Sequence, residues 1–314
     1  MKNQKIISAV LLTTIWLSLF AFLHTVEAGV LKSDKPYKVE KFNTSPGGSL
    51  YVQTSGGSIQ ATGHNSNETI VEVYVRSSKW SGEKLIEMLK ENYSITIKKS
   101  GNRVEAIAKR TGSSWSNGGI SISFVVMVPK RTDCEMKTSG GSLKLKDIEG
   151  KLQSLHTSGG SISLNNVHSD VELRTSGGSI RVEDYVGNLD GRTSGGSIKV
   201  TNAEGEIDVV TSGGGIKLDG LSGDVSASTS GGSISANFSS LTGPLDLKTS
   251  GGNVRATVPA GLGLDLDLRG SRVETKLVNF TGEAKRDRIS GKVNGGGIPV
   301  RMVTSGGSVI LQFE

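Results

Sequence analysis

Between Thr138 and Lys248 the apolar residues fall in pairs two positions apart. Leu143 and Leu145, Ile162 and Leu164, Ile180 and Val182, Ile198 and Val200, Ile216 and Leu218, and Ile234 and Ala236 form one set. Val171 and Leu173, Ile207 and Val209, Val225 and Ala227, and Leu245 and Leu247 form a second. A two-residue period marks a strand with one buried face, so each unit predicts two short strands. Asp/Asn-rich corners separate them, often with a glycine such as Gly150, Gly187, Gly205 or Gly223.

Each first strand follows the pentapeptide TSGGS or a near variant, which begins at Thr54, Thr138, Thr157, Thr175, Thr193, Thr211, Thr229, Thr249 and Thr304. From Thr138 to Thr249 the steps are 19, 18, 18, 18, 18 and 20 residues. Propeller blades and helical-pair repeats need about 34 to 45 residues, so neither fits. A unit this short cannot bury its apolar face alone. Stacking units about 4.8 Å apart sets each aliphatic side chain over its counterpart and builds a continuous interior.

The predicted architecture is therefore all-β: a parallel β-solenoid (β-helix) of about 18-residue coils over residues 138–314. Its C-terminal cap is expected where Leu262 to Val303 interrupts the repeat. In this register the repeated Thr faces inward, its hydroxyl within reach of a neighbouring Thr or a turn backbone group. The Gly pair after it is expected to supply the unusual dihedrals of the corner. Residues 29–137 differ: strands are predicted near 69–76, 94–99, 103–109 and 120–128. Leu85, Ile86, Met88 and Leu89 have helical spacing within Ser81 to Asn92. This mixed strand and one-helix region is expected to cap the solenoid, whose open edge needs covering.

Composition narrows the class further. Forty-three Gly among 314 residues argue against a helical bundle, and 6 Pro are too few for collagen. A single cysteine, Cys134, excludes a disulfide framework and a cysteine-based zinc site. Residues 1–28 read as a signal peptide: Lys2 and Lys5, an apolar run from Ile6 to Leu23, then Val26-Glu27-Ala28. The protein is expected to be exported, as a periplasmic, cell-surface or secreted chain. An uncleaved anchor is the alternative, and membrane contact is expected only through that segment. The formal charge of +6 is too small to imply nucleic acid.

The TSGG-x-[ILV] strands, Val128-Pro129-Lys130 leading into the repeat, Val258-Pro259-Ala260-Gly261 leaving it, and Gly291-Lys292-Val293-Asn294-Gly295-Gly296-Gly297 before the last strand carry a resemblance. With the export signal, they resemble the bacterial putative-adhesin family of β-strand-repeat proteins, an exported domain of unknown function. The likeness runs from about Val39 to Phe313. It implies the repeat fold and an adhesin-like role by analogy of architecture, and brings no catalytic residues with it.

Candidate chemistry is sparse. A glycine-rich phosphate cradle needs a following helix, and every TSGGS leads into a strand. Glu172, Asp190, Asp208 and Asp246 share one outward place in coils about 4.8 Å apart, close to the carboxylate spacing of retaining glycosidases. This supports the alternative function, a polysaccharide-active β-helix lyase or glycoside hydrolase; an ordinary solvated face is the simpler reading. His24 lies in the signal, and His64, His156 and His168 read as surface residues. No metal or cofactor is expected. Cys134 alternates in phase with Met136 and Thr138 and reads as a buried, inert thiol. Trp80, Trp115, Tyr74 and Tyr93 suit core packing or a sugar platform.

Charge placement gives the sharper candidate. Lys144, Arg181, Lys199, Lys217 and Arg255 occupy one outward place of the first strand, whereas the outward place of the second strand is mostly acidic. One basic and one acidic flank are expected, the basic ladder being the candidate ligand-binding site. The expected function is a non-enzymatic, adhesin-like surface or envelope scaffold. Anionic polysaccharide, an envelope polymer or a surface protein is the expected partner. Ice binding would need outward Thr pairs, and the Thr here is predicted inward.

Overall fold

A computed structural model describes residues 35–112 and 119–314. The signal segment, with His24, and Trp115 lie outside the described residues. Residues Pro36–Glu314 form one compact unit. It is all-β, with a single helix among the described residues, Gly82–Asn92, and its architecture is β-solenoid-like.

Two parallel faces are built from the two strands of each unit. In the first face Ile162, Ile180, Ile198, Ile216 and Ile234 pair in succession from strand to strand, as the alternation predicts. All five are at most 2 % exposed, and full burial of each contributes roughly 1.5–3 kcal/mol before ordering entropy is subtracted. In the second face Leu155, Leu173, Gly191, Val209, Ala227 and Leu247 pair in the same manner. The long strands Ile198–Thr211 and Ile216–Thr229 run through the corner and join the faces.

The TSGGS turn stacks on itself. Each repeated Thr is buried, and from Thr138 onward its hydroxyl donates to the carbonyl of the second Gly in the adjoining turn, whereas Thr54 donates to the Ile122 carbonyl at 2.7 Å. Thr157 reaches Gly141, Thr175 reaches Gly160, Thr193 reaches Gly178 and Thr211 reaches Gly196, at 2.7 to 2.9 Å. Of the two partners left open by the sequence, the turn backbone is the one used. The role expected of the Gly pair is corrected: neither glycine of these turns has a left-handed φ. A Cβ on the second Gly would instead meet the carbonyl of the turn beneath at less than 3.0 Å, so close approach is what demands glycine. Left-handed backbone sits at the opposite corner, at Asp147, Asn166, Asp184 and Asn202, with φ of 53 to 57°. There Asn166 donates to Asp147 at 2.7 Å and Asn202 to Asp184 at 3.1 Å, so amides separate carboxylates that would otherwise stack.

Spatial order departs from chain order at both ends. The early strands Gly48–Gln53 and Ile59–His64, joined by the first TSGGS, pair with Thr132–Lys137 and Leu143–Ile148. Arg103–Arg110 and Ile120–Pro129, which come later in the chain, lie outside them. At the other end Ile298–Thr304 and Ser308–Phe313 insert between the Thr249 unit and the strands Leu264–Arg269 and Arg272–Thr275. Thr138 accordingly donates to Gly57 and Thr304 to Gly252, 81 and 52 residues away. Antiparallel strands finish the stack: Lys38–Asn43, Glu68–Ser77 and Tyr93–Ser100 near one end, Phe280–Ala284 and Arg288–Val293 near the other. The helix buries Met88 and Leu89.

Candidate functional site

The basic ladder stands on the first face, where the strands project alternate side chains outward. Its register runs Lys144, Ser163, Arg181, Lys199, Lys217, Ser235, Arg255. Serines detach the two end cations, leaving Arg181, Lys199 and Lys217 on three consecutive strands. Arg181 lies 3.8 Å from Glu183. Among the described residues, no carboxylate comes within 4.0 Å of Lys199 or Lys217, although Asp219 lies two positions along the strand from Lys217. Like charges on neighbouring strands repel, and at Lys199 and Lys217 the repulsion is left without a paired counter-charge.

The second face corrects the expected acidic flank. Its acidic column does run through Glu135, Ser154, Glu172, Asp190, Asp208 and Ser226. Residues two positions on project from the same side of a strand, and there the sequence supplies Lys137, His156, Arg174 and Arg192. Arg174 bonds Asp190 and lies 3.2 Å from Glu172, while Arg192 reaches Asp190 at 3.0 Å and Asp208 at 2.7 Å. Burial alone would raise the Asp190 pKa, but hydrogen bonds and charge from Arg174 and Arg192 outweigh it and hold the carboxyl below its ordinary range. A glycosidase general acid needs the opposite shift.

Charge on this face is sorted across its width. A groove of about 530 Å³ follows the TSGGS corner, lined by Lys137, His156, Arg174, Arg192 and turn residues, with no carboxylate. A groove of about 410 Å³ at the other edge is lined by Asp170, Glu172, Asp190, Glu206 and Asp208, with no cation. His156 has its pKa lowered, first by burial and then by Lys137 and Arg174, with Glu172 opposing from 3.9 Å.

A protein-family model described as Toastrack DUF4097 matches residues 26–312, nearly the whole span of the resemblance noted in the sequence. The chain belongs to this family. Two solved structures are similar to this Toastrack chain. One is titled a putative cell adhesion protein from Clostridium sporogenes ATCC 15579, 11% identical with a TM-score of 0.27, covering 89% of this chain and 100% of its own. The other is titled a putative adhesin from Bacteroides fragilis NCTC 9343, 12% identical with a TM-score of 0.42, covering 91% and 100%. No curated protein matches the chain.

Elsewhere in this Toastrack chain the remaining candidates are structural. The Cys134 side chain is buried, and burial, with the charge of Asp133, pushes its thiol pKa well up. Trp80 and Tyr93 pack against the core, as core packing predicts, and Tyr74 donates to Glu72 at 2.7 Å. His64 accepts from the Ser66 amide, His156 lies in the basic groove and His168 is exposed. Among the described residues no group of three His, Cys, Asp or Glu has metal-binding geometry, and no helix is long and apolar enough to cross a membrane. Sequence reading missed Gln153, a polar residue at an inward place. Its amide accepts from the Cys134 amide at 2.8 Å and donates to Thr132 and Ser169. The signal was its pairing with Val171, where the alternation calls for an apolar residue.

Proposed function

We propose that this Toastrack chain is an exported, non-enzymatic, adhesin-like scaffold. In this reading about 18 residues make one coil. The mixed strand and helix region caps the N-terminal end, and the long polar faces meet an anionic polymer of an envelope or surface. The observation that carries the proposal is the column Arg181, Lys199, Lys217, three cations in direct register with no carboxylate within 4.0 Å of the two lysines. Cations stacked about 4.8 Å apart destabilise one another, and a bound polyanion relieves that cost at several points together. The ion pairs around Asp190 and Asp208 count against the lyase or glycosidase alternative, which requires a carboxyl free to move protons.

The test is a glycan and lipid binding array at low and high salt, with Lys199→Glu/Lys217→Glu beside the parent. Acidic ligands should bind, weaken at high salt, and lose about tenfold or more in affinity in the double variant. Binding indifferent to both salt and the substitutions would overturn the proposal. So would turnover of an acidic polysaccharide that disappears in Asp190→Asn/Asp208→Asn.

A further inference from the structure

We propose that the groove along the TSGGS corner of the second face is a separate binding site for a linear acidic polysaccharide, held at Lys137, His156, Arg174 and Arg192. This goes beyond the first-face column, with which the groove shares no residue.

The groove crosses four successive units, and each contributes one of these side chains in direct register. It is an open trough, a shape suited to a chain that continues past both ends. Its lining is single-signed: the carboxylates that bond Arg174 and Arg192 line the opposite groove, and Glu135, which pairs with Lys137 at 2.6 Å, lines neither. Those contacts fix the guanidinium groups in place: Arg174 also donates to the Leu173 and Asp190 carbonyls, which leaves its Nε–H, while Arg192 keeps the N–H groups of Nη1 for a ligand carboxylate or sulfate.

Three features favour a sugar polymer over other polyanions. Ser158, Ser176 and Ser194 lie exposed in the groove, one hydroxyl per unit, where sugar hydroxyls need partners. Stacked strands repeat about every 4.8 Å, near the length of one residue in an extended pyranoside chain, so one acidic sugar meets one unit. No Phe, Tyr or Trp lines the groove, and single-stranded nucleic acid is held largely by stacking on successive aromatic rings, of which the groove offers only the His156 imidazole. No large aliphatic side chain lines it either, so a lipid chain finds no apolar floor.

His156 makes the site responsive to pH. It lies between Lys137 and Arg174 in register. Glu172 beside Arg174 and Glu135 beside Lys137 are the acidic groups facing it. Burial and the two cations disfavour its protonation in the empty groove, whereas an anion bound along the row favours it. Binding should thus tighten as the solution becomes mildly acidic.

The experiment titrates the purified protein with polygalacturonate at low salt, at about pH 7.5 and about pH 5.5. Lys137→Gln/His156→Gln and Ser176→Glu/Ser194→Glu are compared with the parent and with Lys199→Glu/Lys217→Glu, after unchanged urea midpoints establish that each folds. The parent should bind, more tightly at the lower pH. Both groove variants should weaken binding about tenfold or more, and the first should abolish the pH increment. The first-face variant should retain that increment. Loss confined to the first-face variant overturns the groove and leaves the column standing, whereas loss confined to the groove variants supports the groove and removes the column. Absence of binding by the parent, or tighter binding of inorganic polyphosphate than of polygalacturonate, overturns the polysaccharide assignment.

Discussion

Adjacent glycines in one TSGGS turn should respond very unequally to the same added methyl group. A Cβ on Gly177 would have its nearest neighbours at 3.7 Å, ordinary contact distance. A Cβ on Gly178 would sit less than 3.0 Å from the Gly160 carbonyl, closer than side chains tolerate. Relief requires that two stacked turns separate. That strains the bonds from Thr175 to Gly160 and from Thr193 to Gly178, each 2.8 Å, and the bond from the Gly178 amide to Thr175 at 3.2 Å. Overpacking costs about 1–3 kcal/mol and each weakened buried hydrogen bond about 1 kcal/mol more, so Gly178→Ala should lose about 3 kcal/mol or more. Gly177→Ala should stay within about 1 kcal/mol of the parent, because it also removes freedom from the unfolded chain. Urea unfolding followed by circular dichroism measures both, and hydrogen exchange locates the loss, since stacked repeats can open locally. If the two variants differ by less than about 0.5 kcal/mol, close approach is not why the second glycine is there.

Two other expectations concern ionisation. The Asp190 carboxyl has its folded pKa depressed by Arg174 and Arg192, so its stabilising pairing is present above the ordinary carboxylate range and is lost as pH falls through the lower folded value. Asp190→Asn should therefore have a lower urea midpoint than the parent at neutral pH, and the gap should close as pH drops below about 3.9; a constant gap contradicts this. The buried Cys134 thiol, its pKa raised by burial, should resist a thiol reagent at mildly alkaline pH in the folded protein and react once denaturant unfolds it. Rapid labelling of the native protein would refute that account.

Much of the fold was legible because its code is local. Alternation at Ile180 and Val182 or Ile198 and Val200 needs only the two-residue period of a strand, and the 18-residue step needs only counting. The helix at Gly82–Asn92 was readable from the spacing of Leu85, Met88 and Leu89. The candidate site was legible only in outline. All five ladder residues do share an outward place, but Ser163 and Ser235 divide them, and the sequence did not weigh those gaps. The acidic flank was misread because residues two apart share one side of a strand, so Arg174 and Arg192 sit among the carboxylates they neutralise.

The sequence by itself determined the step of the repeat, the aliphatic places hidden in each strand, and that the repeated Thr lies inside, but not that Gln153 is buried among them. Only the tertiary structure decided the order of stacking at the ends, because one TSGGS turn offers the same carbonyl and the same close-packed glycine as any other. Nothing local tells the turn at Thr54 to settle beside Thr138, or the turn at Thr304 to settle beside Thr249. That choice belongs to the whole chain: strands that follow Thr62 and Val258 pair on the outer side of the two terminal repeat units, which therefore lie within the stack.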